Sequence, residues 1–324
     1  MRGMSSPDTL RLGLAQIAPV LLDRTQTLER VLERVHEAAE AGCSLVVFGE
    51  ALVPAYPVWT ERVDGARFEG APGKDLFARY VDQAVCVADG HLDALCEAAR
   101  SRGITVQLGM IEKTRERGTS LFCTSAHIDA SGAVVNTHRK LMPTFEERLT
   151  WAAGDGHGLR VHEVGPFVVG ALNCWENWMP LARASLQAQG ETLHLMHWPG
   201  CKRNTEPTTR FIAREGRSFV VSVCGLLRAE DVPADLPHRA SIAPEPGELL
   251  LDGGSCVAGP DGNWVVEPVV GEETLVVCEL DAELVRRERQ NFDPAGHYAR
   301  PDVLRLEVDR TRGRVANFRE GDDS

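Results

Sequence analysis

Apolar positions along the chain follow two rhythms. Short unbroken runs, Leu10 to Gln16 and Leu45-Val46-Val47-Phe48, read as strands, the second of them buried on both faces. Between them Leu28, Val31, Leu32, Val35, Ala38 and Ala39 recur at helical spacing, with Asp23 and Gln26 placed to cap the start and Gly42 the end. The unit returns three times. Leu92, Leu95, Cys96 and Ala99 lead to Gly103 and a strand from Ile104 to Leu108. Pro180 to Gln189 leads to Gly190 and a strand from Leu193 to Trp198, and Thr208 to Glu215 leads to Gly216 and a strand from Phe219 to Cys224. Two hairpin signals intervene. Asp129-Ala130-Ser131-Gly132 joins Leu121–Ile128 to Val134–Thr137, and Gly259-Pro260-Asp261-Gly262-Asn263 joins Ser255–Ala258 to Trp264–Glu267. Helices interleaved with mixed strands, and no linker, indicate one α/β domain over residues 8–309. A polar tail, 310–324, follows it as a mobile segment or an oligomer contact. Pattern alone suggests an open, doubly wound sheet.

Charge and cysteine usage narrow the class. The 324 residues carry 35 Lys+Arg against 47 Asp+Glu, a net charge of −12, which argues against nucleic acid or an anionic membrane as partner. None of the nine cysteines forms a C-x-x-C or pairs with His at zinc-finger spacing, so no structural metal is expected. Most lie in apolar runs such as Ser218–Cys224, as small buried hydrophobes in a reducing compartment do. Met1 to Pro7 shows no apolar leader core, and no later run approaches the roughly 20 residues of a membrane span. A cytoplasmic location is therefore expected.

Three predicted strand ends carry reactive groups, where α/β sheets gather their chemistry. Glu50 follows the strand ending at Phe48 and precedes the stiff Pro54-Ala55-Tyr56-Pro57 turn. It is either a half-buried general base, with its pKa raised toward neutrality, or an exposed loop carboxylate. Lys140 ends a basic cluster, His138-Arg139-Lys140, that is either a solvated face or an ammonium which Glu147 folds back to pair. Cys174 closes the run Val168 to Asn173 and precedes a helix that Pro180 can open. Backbone N–H groups and a helix N-terminus there would favour thiolate, and a buried, inert cysteine is the alternative.

The flanking residues resolve these alternatives. Gly170-Ala171-Leu172-Asn173-Cys174-Trp175-Glu176-Asn177 resembles the nucleophile motif of the nitrilase branch of the carbon–nitrogen hydrolase superfamily, whose amidase and carbamoylase branches typically have Asp where Glu176 stands. His138 to Thr144, with Glu147, Arg148 and Trp151, is similar to the family's lysine motif. Phe48-Gly49-Glu50 with Pro54 to Pro57 resembles its glutamate motif, with Ala55 in place of the usual Gly. Trp198-Pro199, Gly253-Gly254-Ser255 and Gly296 to Asp302 match in support, so the resemblance runs from about Leu10 to Leu306.

The resemblance implies a four-layer αββα sandwich, with Cys174 as nucleophile, Glu50 as base, Lys140 as electrostatic stabiliser and Glu147 as auxiliary glutamate. It implies a nitrilase that converts an organic nitrile to carboxylate and ammonia through a covalent cysteine thioimidate, without metal or organic cofactor. The alternative is an amidase or N-carbamoyl hydrolase with the same triad. Homo-oligomers built on dimers, extending into spirals, are implied as well. Tyr56, Trp175 and Trp198 are the candidate substrate contacts. Gly154-Asp155-Gly156-His157-Gly158 lacks the spacings of a phosphate loop and reads as a surface turn. His197 is either a site residue or a structural histidine, and Cys201 has only its position to recommend it.

Overall fold

The computed structural model describes residues 8–316. Met1 to Pro7 and the last part of the tail, 317–324, lie outside the described residues. The strands in chain order are β1 (Thr9–Gln16), β2 (Leu45–Phe48), β3 (Thr105–Lys113), β4 (Leu121–Ile128), β5 (Val134–Arg139), β6 (His162–Val164), β7 (Phe167–Asn173), β8 (Leu193–Trp198), β9 (Phe219–Cys224), β10 (Leu226–Arg228), β11 (Leu249–Ala258), β12 (Trp264–Val270) and β13 (Thr274–Asp281). They form two sheets. One runs β13-β1-β2-β3-β4-β5, and the other runs β10-β11-β9-β8-β7-β6 with β12 on β11. Each has a parallel centre, β1-β2-β3 in the first and β7-β8-β9 in the second, flanked by antiparallel strands.

Side-chain alternation shows why two sheets form rather than one. In β1 and β2, Leu12, Leu14, Leu45 and Val47 face Val169, Leu193, Leu195 and Val221 of the other sheet. Val46 and Phe48 point the other way, against Val31, Val35, Leu95 and Ala99 of the helices Arg24–Glu40 and Asp93–Arg102. A strand covered by helix on one face and sheet on the other is apolar at every position, and Leu45 to Phe48 are all buried. Burying each such side chain contributes about 1.5–3 kcal/mol. The outer face of the second sheet packs Met196, Trp198 and Val220 under Ile212 and Ala213 of the helix Lys202–Gly216, while Leu172 packs on Leu186 of Pro180–Gln187. The architecture is therefore the αββα sandwich, and the single open sheet suggested by pattern alone is corrected.

Local signals hold at the first helix. The Asp23 carboxylate accepts from the backbone N–H of Gln26 at 2.9 Å, and Gly42 ends the helix at φ 77°. The helix expected from Thr208 begins earlier, at Lys202, and its left-handed terminal residue is Arg217 rather than Gly216. The start of the tail lies on its own chain. Arg312 donates to Asp155 at 3.1 Å and to the Thr137 carbonyl at 2.8 Å, and the Gly313 N–H donates to Asp155 at 3.0 Å. The Gly154–Gly158 segment is thus a turn that receives residues 310–313. Among the described residues no helix is long and apolar enough to cross a membrane, and all nine thiols are free.

Candidate active site

Glu50 leaves β2 through Gly49, and a side chain at Gly49 would lie 2.6 Å from the Gly225 backbone nitrogen, so only glycine fits between the strand ends. The Glu50 N–H donates to the Trp198 carbonyl of the other sheet at 3.0 Å. His197, fully buried, props the same turn: its Nδ1 lies 2.6 Å from the Phe48 carbonyl and its Nε2 2.8 Å from Ser125 Oγ. Burial lowers its pKa to about 4. His197 is therefore a neutral structural residue of the turn.

Beyond Glu50, Ala55 adopts φ 107°, a region that favours glycine. Its carbonyl accepts from the buried Tyr80 hydroxyl at 2.9 Å. Because this conformation costs an L side chain about 1–3 kcal/mol, Ala55→Gly is expected to raise stability by about 1 kcal/mol after the extra chain entropy of glycine. Denaturant unfolding tests this, and a loss of stability would contradict it.

Lys140 follows β5, and its N–H donates to the Cys123 carbonyl at 2.8 Å. Its ammonium is sealed from solvent and lies 2.9 Å from Glu50 Oε1 and 2.7 Å from Glu147 Oε2. Glu147 stands in the short 3-10 turn Phe145–Leu149, where the Thr144 N–H also donates to its Oε2 and the Tyr56 hydroxyl donates to its Oε1 at 3.1 Å. The Tyr56 ring meets Trp151 edge-on at 5.6 Å, and the Lys140 ammonium lies 5.5 Å from the Trp151 ring. Cys174 sits just past β7 at φ 48°, buried, with the Trp175 N–H at its sulfur. Donor atoms of Glu50, Glu147 and Cys174 lie within 4.8 Å of one another. Such a trio is a conceivable cation ligand set, but the Lys140 ammonium already bridges its two carboxylates.

Burial sets the charges. It raises Glu50 to about 7, opposed by Lys140 and assisted by Glu147. It also pulls on Lys140, but the neighbouring Glu50, Cys174 and Glu147 outweigh it and hold the ammonium well above its ordinary range. Burial, then the Glu50 charge, pushes the Cys174 thiol well above its ordinary range despite Lys140 and the Trp175 N–H. The expectation of a thiolate is therefore corrected. A 3-10 turn, Cys174–Trp178, follows the sulfur, and the helix opens only at Pro180, too far along to help. The resting pair is a neutral thiol beside a carboxylate that titrates near neutrality.

Glu50, Lys140, Glu147, Cys174 and Tyr56 are thus brought together. Trp198 packs beneath, in one apolar cluster with Cys174, Met196 and Ile212. The Trp175 indole lies outside, 47% exposed and stacked on Trp178 at 5.8 Å, so only its backbone faces the sulfur. A cleft of about 120 Å³ opens over Tyr56, Val58, Thr60, Glu147 and Leu251. Cys201 joins none of these groups and stands just before the helix Lys202–Gly216, without a capping side-chain hydrogen bond. The sequence pattern gave no sign of Cys123, whose buried thiol donates to Glu50 Oε1 at 3.4 Å. With Lys140 and Cys123 both on Oε1, Glu50 Oε2 is left buried without a partner, available for a proton.

Comparison with known proteins gives the family and the fold. Residues 11–290 match the carbon-nitrogen hydrolase family. The chain is 37% identical over 312 residues to Nitrilase 2 of an unknown prokaryotic organism, covering 96% of each chain. It is 36% identical over 305 residues to an aliphatic nitrilase of Sinorhizobium fredii, covering 92% of this chain and 95% of that one. Among solved structures, the NitFhit protein of C. elegans superposes with a TM-score of 0.70 at 16% identity, over 96% of this chain and 69% of that one. An amidase from Nesterenkonia sp. AN1 superposes with 0.64 at 20% identity, over 87% of this chain and 97% of that one; both likenesses concern the fold.

Proposed function

The chain belongs to the carbon–nitrogen hydrolase family, and from that premise we propose that it is a nitrilase, converting a small organic nitrile to its carboxylic acid and ammonia. One observation carries the proposal: a thiol, an ammonium and a carboxylate with one unpartnered oxygen lie together, buried among the strand ends. The nitrilases related at 36–37% identity over nearly the whole chain support the nitrile as substrate. Cys174-Trp175-Glu176 favours it over the amide or N-carbamoyl substrates of the same chemistry.

Glu50 Oε2 takes the Cys174 proton as sulfur attacks the nitrile carbon, and passes it to the nitrogen, leaving a thioimidate. Charge growing on that nitrogen meets the Lys140 ammonium and the Trp175 N–H, donors fixed in a dry site where each is worth about 10²–10³ in rate. Glu50 then deprotonates a water that adds to the thioimidate carbon. The tetrahedral adduct expels ammonia, and a second water cleaves the thioester to acid and thiol. Glu147 keeps the ammonium in place, and Tyr56, bonded to Glu147, lines the way in. Trp198 supports the sulfur from below, and Trp175 acts through its backbone. No step calls for a cofactor.

Ammonia release from a panel of aliphatic, arylaceto- and aromatic nitriles is the test. Turnover of amides with none of any nitrile would transfer the assignment to the amidase reading. The pH profile follows from Glu50. It acts as base only when ionised, so kcat/KM is expected to rise with pH and level off above about 7. The raised Cys174 thiol adds no second rise just above neutrality. An acid limb at the ordinary carboxylate value of 4.5 would contradict a buried base.

We also place residues 8–309 in one catalytic domain, in a reducing, cytoplasmic setting that suits nine free thiols. A homo-oligomer is supported by exposed Trp178, Leu181 and Phe211, which leave apolar surface uncovered on one side. Sedimentation as a monomer at micromolar concentration would speak against it.

A further inference from the structure

Lys140 and Cys174 hang from different sheets. Among the described residues β5, which ends at Arg139, pairs only with β4, and β7, which ends at Asn173, pairs with β6 and β8. Strand pairing therefore does not set the distance between ammonium and sulfur. A side chain bonded beside both strand ends spans the gap. The Glu176 carboxylate, fully enclosed, accepts the Leu141 N–H on Oε1 at 2.8 Å and the Asn173 N–H on Oε2 at 2.9 Å. Leu141 directly follows Lys140, and Asn173 directly precedes Cys174. His138, two residues before Lys140, places Nε2 at 3.0 Å from both oxygens.

We propose that Glu176 is a positioning residue for the hydrolysis proposed above: it fixes Lys140 against Cys174 across the two sheets, and His138 completes its hydrogen bonding. All three partners are donors, so the position asks for a group that only accepts, which an ionised carboxylate is and an amide is not. A glutamine would turn its NH₂ against one of the three N–H groups. Burial pushes Glu176 upward, but the His138 imidazole and the two backbone N–H groups outweigh it and hold the carboxyl below its ordinary range. The far side of the nucleophile turn is braced separately. Asn177 Nδ2 donates to the Cys174 carbonyl at 2.8 Å, and Asn177 Oδ1 lies 2.7 Å from His194 Nε2. Loss of the Glu176 clamp therefore frees the spacing to Lys140 without unravelling the turn. Misplacement of a reacting group by about 1 Å costs on the order of 100-fold in rate.

The experiment compares Glu176→Gln, His138→Gln and His138→Ala with the unaltered enzyme. For Glu176→Gln, kcat is expected to fall on the order of 100-fold while KM moves less than about threefold. Its acid limb is expected to move above about 7, because a displaced ammonium no longer opposes Glu50 protonation as strongly. In His138→Gln the amide nitrogen donates in place of Nε2, so kcat stays within about fivefold, while His138→Ala loses on the order of tenfold or more. A folded Glu176→Gln enzyme with unchanged kcat and unchanged acid limb overturns the proposal, even if its melting temperature drops. Equal losses in the two His138 variants overturn the part given to His138. Should Glu176→Gln fail to fold, His138→Ala carries the same kcat and pH test. The unaltered enzyme, run on nitriles and amides in parallel, keeps the two questions apart. If it cleaves only amides, the nitrilase reading fails while the clamp is still judged on amide turnover.

Discussion

Replacing Cys174 by alanine is expected to remove nitrile turnover, with a loss of at least about 10⁵-fold in kcat, as when a covalent nucleophile is deleted elsewhere. The substitution takes one sulfur from a small apolar cluster and adds no charge, so the fold is expected to survive. Two buried thiols flank Glu50, and geometry decides between them. Cys123 lies within β4, paired to Ile111 of β3, and its thiol is already given to Glu50 Oε1. Cys174 stands on a turn at φ 48°, with a backbone N–H at its sulfur and its donor atom within 4.8 Å of those of Glu50 and Glu147. Only the second arrangement offers both a free base oxygen and a donor for developing charge. Cys174→Ser is expected to fail almost as completely, because a hydroxyl is a far weaker acid than the thiol it replaces. Ammonia assays give the rate, and acid-quenched intact mass shows whether substrate stays bound to the protein. Appreciable turnover in Cys174→Ala, lost only when Cys123 is also replaced, would move the nucleophile to Cys123.

Much of this site is legible in the sequence because reactive side chains stand at or just past the ends of predicted strands. Glu50, Lys140 and Cys174 each end a strand, and Glu147 lies close enough to Lys140 to fold back. The layers are less legible. The apolar run Leu45 to Phe48 says that both faces are covered, not that one cover is a helix and the other a second sheet. Nothing in periodicity says that Thr274–Asp281 pairs with β1 from the far end of the chain. The helix Ala71–Gln83 buries only Leu76 and Tyr80, too thin a stripe to mark it in the sequence. Partners that act through contact are the least visible. Cys123 reads as one more apolar strand residue, and Glu176 as a family marker, until the sheets are stacked and each is found against a catalytic candidate. The Trp175 ring turns outward because a 3-10 turn, not an α-helix, follows Cys174.

Lys140 is where the site's charge balance is most exposed. Its ammonium separates two enclosed carboxylates and, among the described residues, is the one cation bonded to both. Lys140→Met keeps the length of the side chain but leaves Glu50 and Glu147 facing each other without a counter-charge. Removing one partner of such a buried group destabilises by about 3–5 kcal/mol, more than the original pairing contributes, because the remaining charge is uncompensated. Proton uptake relieves the repulsion. Glu50, already raised to about 7 with Lys140 opposing the shift, is expected to rise further and to be protonated at neutral pH. The variant thus loses its base and its donor for the developing nitrogen charge together, and kcat is expected to fall by about 10³-fold or more. The two losses separate by a second substitution. Adding Glu147→Gln removes one of the repelling charges, so denaturant unfolding is expected to show part of the stability restored while ammonia release stays low. Recovery of activity along with stability would mean that Lys140 serves only to hold the fold. Unchanged stability in Lys140→Met would mean that the carboxylates are not both ionised in the resting enzyme.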